Sequence, residues 1–373
     1  MIGNEKRIRV LLVDDSAFMR KVLLGIISAD PALQVIGEAG DGREAIAMAG
    51  SLRPDVISMD INMPHVDGIE ATEVIMSQNP HPIVIVSSES HEGARGTLRA
   101  LQLGAVDFVS KPAGAISFDM NNVREELTRK LKMAAKVRVV RTATLSKSAH
   151  APAPTAFRPE ENGAAAPNRV DPSARETCPL VVLAASTGGP ATLMQMVPQF
   201  RKDFPAAMVL ALHMPASFTS QFAQQLAAAS SIEVKEATGG ESIRPGLLQI
   251  CPGSHHLRIS PAGTVKLDDG PRISGYRPCA DVTLETAAAW AGPMTIALVL
   301  TGMGNDGARG ALAVRAAGGY VIAQDEATSM IFGMPQEAIR AGAVHEVLPL
   351  DLIPAAVEKR VRYLQGALKA GAL

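Results

Sequence analysis

Cysteine is scarce in this chain. There are three, Cys178, Cys251 and Cys279, with no Cys-x-x-Cys spacing among them. An odd, dispersed set argues against a disulfide framework or a zinc site and suits a reducing compartment. An excess of one charge is also lacking. Lys and Arg number 36 against 37 Asp and Glu, for a formal net charge of −1, so nothing basic points to nucleic acid. No apolar run reaches the roughly 18 residues that a membrane helix needs. Residues 1–9 are charged and lead straight into a strand, which does not read as a secretory signal. A cytoplasmic protein with no membrane insertion is expected. What remains is a chain of 373 residues, 47% of them hydrophobic, long enough for two domains with their own cores.

Residues 1–135 carry one α/β rhythm. Ile8-Arg9-Val10-Leu11-Leu12-Val13 reads as a strand, and Ser16 caps a helix bearing Phe18, Met19, Val22, Leu23 and Ile26. Further strands are predicted at 34–38, 55–59, 82–86 and 106–109, with helices near 42–51, 67–77, 92–102 and 121–136. Near-continuous apolar strands alternating with helices mean a parallel, doubly wound sheet. Ligands of such sheets sit at the carboxyl ends of the strands. Polar residues occupy those ends: Asp14 and Asp15 after the first strand, Asp60 after the third, Ser87 after the fourth and Lys111 after the fifth. Any one aspartate there reads as a helix cap. Three converging carboxylates need a cation, and oxygen ligands suit magnesium. The facing hydroxyl and ammonium suit phosphoryl oxygens.

Residues 136–177 lose the apolar period. The segment from 146 to 176 is Ser, Ala, Pro, Asn, Gly and charge, which predicts a flexible linker with His150 solvated in it.

A second α/β run fills 178–373. Strands are predicted at 180–185, 207–212, 247–251, 295–300 and 319–324, helices near 190–198, 216–229, 280–291, 307–317 and 351–366, and a small hairpin over 253–267. The first strand ends abruptly in Ala184-Ala185-Ser186-Thr187-Gly188-Gly189-Pro190, a near miss to the Gly-x-Ser-x-Gly elbow that lifts a serine out of a sheet beside backbone N–H groups. Such turns also bind phosphate or simply turn the chain. A base is sought among His213, His255, His256 and His345. Only His213 directly follows a strand that shares the rim with Ser186. Asp306, in Thr301-Gly302-Met303-Gly304-Asn305-Asp306-Gly307, supplies a carboxylate at a third strand end and also reads as a helix N-cap. The order Ser, His, Asp differs from that of α/β-hydrolases, so roles rather than order define this triad.

Two resemblances rest on these residues. Asp14-Asp15, Asp60-Ile61-Asn62-Met63-Pro64, Ser87 and Lys111-Pro112 resemble the receiver domain of two-component response regulators. The resemblance implies a flavodoxin-like fold and phosphorylation of Asp60 by a histidine kinase. It also implies magnesium on Asp14, Asp15, Asp60 and the Asn62 carbonyl, phosphoryl contact by Lys111, and switch positions at Ser87 and Phe108. Ala185-Ser186-Thr187-Gly188-Gly189, His213-Met214-Pro215, residues 301–307 and Phe332-Gly333-Met334-Pro335 resemble the catalytic domain of the CheB protein-glutamate methylesterase family. That implies a Rossmann-like hydrolase with Ser186 as nucleophile, His213 as base and Asp306 as acid, and with Thr187 and Met303 lining the site.

The implied activity is demethylation of glutamyl methyl esters on chemotaxis receptors, with deamidation of receptor glutamines. No cofactor is implied for the esterase, and a monomer is expected. The implied regulation has the unphosphorylated receiver covering the catalytic cleft.

Three residues depart from the family pattern: Ala184 for glycine, Asn62 for an acidic residue, and Cys279 for serine. Cys279 is expected to be a small packing residue at the substrate rim rather than a nucleophile. A DNA-binding output domain is disfavoured by balanced charge and the lack of a basic helix-turn-helix. A nucleotide-binding loop at 186–189 lacks the P-loop lysine and the third glycine of a dinucleotide fingerprint.

Overall fold

Two parallel sheets carry the chain, and each puts its polar residues at one rim. The computed structural model describes residues 6–88, 90–111, 120–137 and 178–371. The expected linker therefore lies, from residue 138 onward and with His150, outside the described residues, as does Pro112.

The first sheet contains β1 (Ile8–Val13), β2 (Leu33–Ala39), β3 (Val56–Asp60), β4 (Ile83–Ser87) and β5 (Asp107–Ser110), in the order β2-β1-β3-β4-β5. Its helices are α1 (Ala17–Ser28), α2 (Gly42–Leu52), α3 (Gly68–Gln78), α4 (His91–Gln102) and α5 (Met120–Ala134). Side-chain caps fix the entries. Ser16 accepts from Met19 N, Asp41 from Glu44 N, Asp67 from Ile69 and Glu70 N, and Ser90 from Gly93 N, each relieving an unpaired donor of the first turn. Phe18, on the first turn of α1, is exposed, while Leu23, Ile26 and Ile27 are buried.

The second sheet has the order β14-β13-β12-β6-β7-β9-β8 and is parallel throughout. Its members are β6 (Leu180–Ala185), β7 (Ala207–Leu212), β8 (Glu233–Glu236), β9 (Leu247–Ile250), β12 (Thr295–Val299), β13 (Tyr320–Gln324) and β14 (Glu346–Leu348). Between them, β10 (His256–Ile259) and β11 (Val265–Asp268) form the expected hairpin, antiparallel and outside the sheet. The helices are α6 (Gly189–Met196), α7 (Ala216–Ala229), α8 (Ala280–Ala291), α9 (Ala308–Ala316), α10 (Met334–Arg340) and α11 (Ile353–Lys369).

The central strands β6, β7 and β12 are buried along their whole length, as both-face burial of a parallel sheet requires. β8 and α10 go beyond the sequence expectation. β8 is a four-residue Glu-Val-Lys-Glu edge with a single buried residue, too short to show alternation. α10 opens on Met334-Pro335 directly after Gly333 and runs for seven residues.

The chain leaves β6 in one direction through β7, β9 and β8 and returns on its other side at β12. The first sheet reverses in the same way between β1 and β3. Crevices at such reversals are where open parallel sheets hold ligands. α4 packs against α6 and α7, and one apolar cluster runs from Leu98, Leu101 and Phe108 through to Leu193, Phe218 and Phe222.

Candidate functional site

The rim of the second sheet gathers the three residues singled out from sequence. β6 and β7 pair with Ala185 opposite Leu212, and β12 pairs Val299 with Ala184, so Ser186 and His213 each follow one of a paired couple. The backbone ties this down: Ser186 N donates to Thr301 O at 3.0 Å and His213 N to Ala185 O at 3.1 Å. Gly188 turns the chain with φ of 77° to open α6, a left-handed value that favours glycine. Gly302 is required by close approach. A Cβ there would press on Ser186 Cβ and on the Met334 sulfur.

His213 Nε2 lies 2.7 Å from Asp306 Oδ2. A carboxylate cannot donate, so Nε2 carries a proton, and in the neutral ring that leaves the lone pair on Nδ1. Asp306 is nearly fully buried and accepts four more hydrogen bonds. Ala280 N reaches Oδ2 at 2.7 Å, while Asp281 N at 2.9 Å, Gly307 N at 2.9 Å and Cys279 Sγ at 3.1 Å reach Oδ1. These donors sit at the start of α8 and just before α9, where helix dipoles favour negative charge. Burial alone would push this carboxyl up. The His213 bond and the amides of Asp281 and Ala280 outweigh burial and hold its pKa down to about 2. Burial and the Asp306 charge push the Cys279 thiol up to about 12. Cys279 is thus a protonated donor buried behind the carboxylate, not the rim residue expected from sequence.

Ser186 and His213 leave neighbouring strands at paired positions, Ala185 and Leu212, and their side chains are not bonded. Among the described residues no partner reaches His213 Nδ1, a buried atom, and no hydrogen bond joins it to the half-buried Ser186. Serine–base bonds commonly form only once substrate is in place. The Tyr276 ring stacks on the His213 ring, with centroids 4.2 Å apart and planes at 13°.

The first sheet holds the second constellation. Lys111 Nζ lies 2.8 Å from Asp14 Oδ2 and 2.7 Å from Asp60 Oδ2. Burial raises the Asp60 carboxyl, with Lys111 opposing and the Asp14 charge adding to the rise. Burial pushes the Lys111 ammonium down, but the two carboxylates outweigh it and leave it above its ordinary value. Ligand oxygens of Asp14, Asp15 and Asp60 lie within 4.8 Å of one another. Three carboxylates facing one another with a single ammonium between two of them leave excess negative charge on hard oxygen ligands, which fits a divalent cation such as magnesium. Ser87 is buried at the end of β4, and Asn62 is exposed on the loop after β3.

Comparison with known proteins follows from this geometry. Residues 181–357 match the family described as CheB methylesterase, and residues 10–149 match the response regulator receiver domain. A protein of Pyrococcus horikoshii named protein-glutamate methylesterase/protein-glutamine glutaminase is 42% identical over 376 residues, covering 98% of this chain and 97% of its own length. The chain belongs to the CheB methylesterase family. A like-named protein of Thermotoga maritima is 42% identical over 354 residues, covering 94% of this chain and 98% of its own. The crystal structure of the Thermotoga maritima CheB methylesterase catalytic domain is 42% identical, covers 49% of this chain and 98% of that chain, and has a TM-score of 0.48.

In this CheB-family chain the receiver rests on the catalytic rim. Thr187, expected to line the site, gives its hydroxyl to Asp107 of β5. Asp107 also pairs with Lys130 at 3.1 Å. Phe108, the expected aromatic switch position, is buried against Phe218 of α7 with ring centroids 4.5 Å apart. Met303 meets the Arg129 guanidinium of α5, Nη1 to Sδ at 4.0 Å. Asp107, Arg129 and Tyr276 escaped the sequence reading because each matters only through a contact with a distant segment. No spacing signal marks them.

Proposed function

We propose that this protein hydrolyses glutamyl γ-methyl esters on chemotaxis receptors and deamidates receptor glutamines, with activity set by phosphorylation of Asp60. Its relatives of 42% identity over nearly full length carry both activities in their names. The observation that carries the site assignment is the His213–Asp306 bond at 2.7 Å with Nδ1 left free, beside the strand end that bears Ser186.

In this reading Ser186 Oγ attacks the ester carbonyl as His213 Nδ1 takes its proton. Asp306, ionised by its donor shell, holds the imidazole and stabilises the imidazolium. Turn N–H groups near Thr187 hold the oxyanion, a contribution of about 3–4 kcal/mol. The tetrahedral species expels methanol, which leaves with the proton from His213. Water then cleaves the glutamyl-enzyme, giving glutamate and free serine. Ammonia replaces methanol as leaving group in deamidation. Met303 lines the groove. The esterase step uses no cofactor.

The boundaries proposed are a receiver over 1–135, a linker over 136–177 and a catalytic domain over 178–373. Magnesium held by Asp14, Asp15, Asp60 and the Asn62 carbonyl would neutralise charge as a phosphoryl group from a histidine kinase joins Asp60. Lys111 would turn to the phosphoryl oxygens, and Ser87 and Phe108 would answer that charge. Phe108 already sits on the interface, so a shift there loosens the receiver from the rim. We place the protein in the cytoplasm as a monomer. Among the described residues no helix is long and apolar enough to cross a membrane.

The test is methanol release from methylated receptor with and without acetyl phosphate. Wild type should release methanol and respond to the phosphodonor, Ser186→Ala should release none, and Asp60→Asn should lose the response. Methanol release by Ser186→Ala at the wild-type rate would overturn the site assignment.

A further inference from the structure

The stretch from Pro271 to Cys279 forms a strap across the triad. His256 clips both of its ends. The His256 Nε2–H donates to Pro271 O at 3.0 Å, and Nδ1 accepts from Cys279 N at 3.2 Å. Arg277 adds bonds to Asp269 O at 2.8 Å and Gly270 O at 2.9 Å. Within the strap Ile273 and Tyr276 exchange two backbone hydrogen bonds around Ser274 and Gly275, whose φ values are 51° and 86°. A two-residue turn with both φ positive is a tight hairpin that fixes the flanking side chains. It aims the Tyr276 ring flat onto His213. The Tyr276 hydroxyl sits over Gly304, where a Cβ would collide with it, and the Arg129 guanidinium of the receiver lies against the preceding residue, Met303, at 4.0 Å.

We infer that Tyr276 is a positioning residue for His213 and that the receiver reaches the triad through it, by way of Arg129. The inference rests on the methylesterase reading above. Two effects follow from the stacking. The phenol ring keeps the imidazole from rotating, so Nε2 stays on Asp306 and Nδ1 stays toward the serine rim. It also presents a π face to the imidazolium that forms as Ser186 gives up its proton, and a ring face attracts a cation more than it attracts a neutral ring. An interaction stronger in the transition state than in the ground state changes kcat and spares KM. Arg129 works on the opposite end of the same side chain. With the receiver docked, Arg129 and the Tyr276 hydroxyl converge on the adjacent residues Met303 and Gly304.

The experiment measures methanol release from methylated receptor by the full-length protein, with Ser186→Ala alongside. In the presence of phosphodonor, Tyr276→Leu should lower kcat by about 3- to 10-fold with KM and melting temperature little changed, while Tyr276→Phe should match wild type. Without phosphodonor, Arg129→Ala and Tyr276→Phe should each raise the resting rate, and the double substitution should add nothing to either alone. Should Tyr276→Leu fold poorly, Tyr276→Ala is the second truncation, since the side chain is only half-buried. If Ser186→Ala is inactive and Tyr276→Leu keeps the wild-type kcat, the positioning role is overturned and the methylesterase reading stands. Additive effects of Arg129→Ala and Tyr276→Phe would overturn the link to the receiver. Activity in Ser186→Ala overturns the parent reading instead.

Discussion

Asp60 and Asp306 are both buried aspartates at the carboxyl end of a central parallel strand, one in each sheet. Burial acts on both alike, and they come out opposite. Asp60 is raised, while Asp306 is held to about 2. The difference lies in the donors. Asp306 collects three backbone N–H groups, a thiol and an imidazole. Asp60 has one backbone amide, that of Ile61, and shares Lys111 with the like-charged Asp14. One topology thus builds two kinds of carboxylate. A group that must stay charged to hold an imidazole is wrapped in fixed dipoles. In the reading proposed for Asp60, a carboxylate that attacks phosphorus is left short of donors, within the acidic cluster of Asp14 and Asp15.

The largest break in that contrast comes from swapping each aspartate for its neutral isostere. Asp306→Asn puts an amide where donors converge and offers His213 no full carboxylate. Loss of about 10⁴-fold in kcat is expected, the scale seen when a triad acid becomes its amide, together with a lower melting temperature. Asp60→Asn relieves the repulsion with Asp14 and should raise the melting temperature by about 2–4 °C in magnesium-free buffer.

The pH signs agree with this pair. The depressed Asp306 contributes stability that is present above the ordinary value of 3.8 and lost as pH falls toward about 2. The raised Asp60 works against the fold as pH rises through its own pKa. Thermal melts of the two variants moving in the same direction would refute the contrast.

A smaller effect separates the sheets from their contact. Asp107 accepts the Thr187 hydroxyl while its other oxygen faces Lys130, so a receiver carboxylate pins the residue next to Ser186, the proposed nucleophile. Burial pushes the Lys130 ammonium down, but the Asp107 and Glu126 charges outweigh it and leave it raised overall, so the ammonium stays charged. Asp107→Asn weakens a buried charged hydrogen bond, a change of about 1–2 kcal/mol. The resting rate of methanol release should rise by about 5- to 20-fold. No rise in the resting rate would mean that this bond does not hold the receiver on the rim.

These two aspartates were legible in sequence because a parallel sheet delivers every strand end to one edge. Asp14, Asp60 and Lys111, and likewise Ser186, His213 and Asp306, could be collected by reading where apolar runs stop. The same logic fails for Asp107. It lies at the opening of β5, not at its end, and matters because a second domain leans on it. Tyr276 sits in a turn between elements, where neither period applies. Strand register brings Ser186 and His213 to one rim without bonding them, because it places backbones and not hydroxyl rotamers. β8 and α10 were missed for want of length. Residues that topology brings to one rim were readable, and those brought there by contact between distant segments were not.

The finest probe of the contrast is Cys279, the one side-chain donor other than His213 in the Asp306 shell. A thiol is a weak donor, and three amides remain when it is removed. Cys279→Ala should therefore lower kcat by no more than about threefold, since less than 1 kcal/mol is at stake for one weak bond among five. Cys279→Ser offers a stronger donor in nearly the same volume and should equal or exceed wild type. The thiol is held protonated near 12, so maleimide should leave it unmodified in the folded protein. A tenfold loss in Cys279→Ala that Cys279→Ser fails to restore would show that the sulfur fills space rather than donates. The low pKa of Asp306 would then rest on the amides and His213 alone, which is the sharper form of the contrast with Asp60.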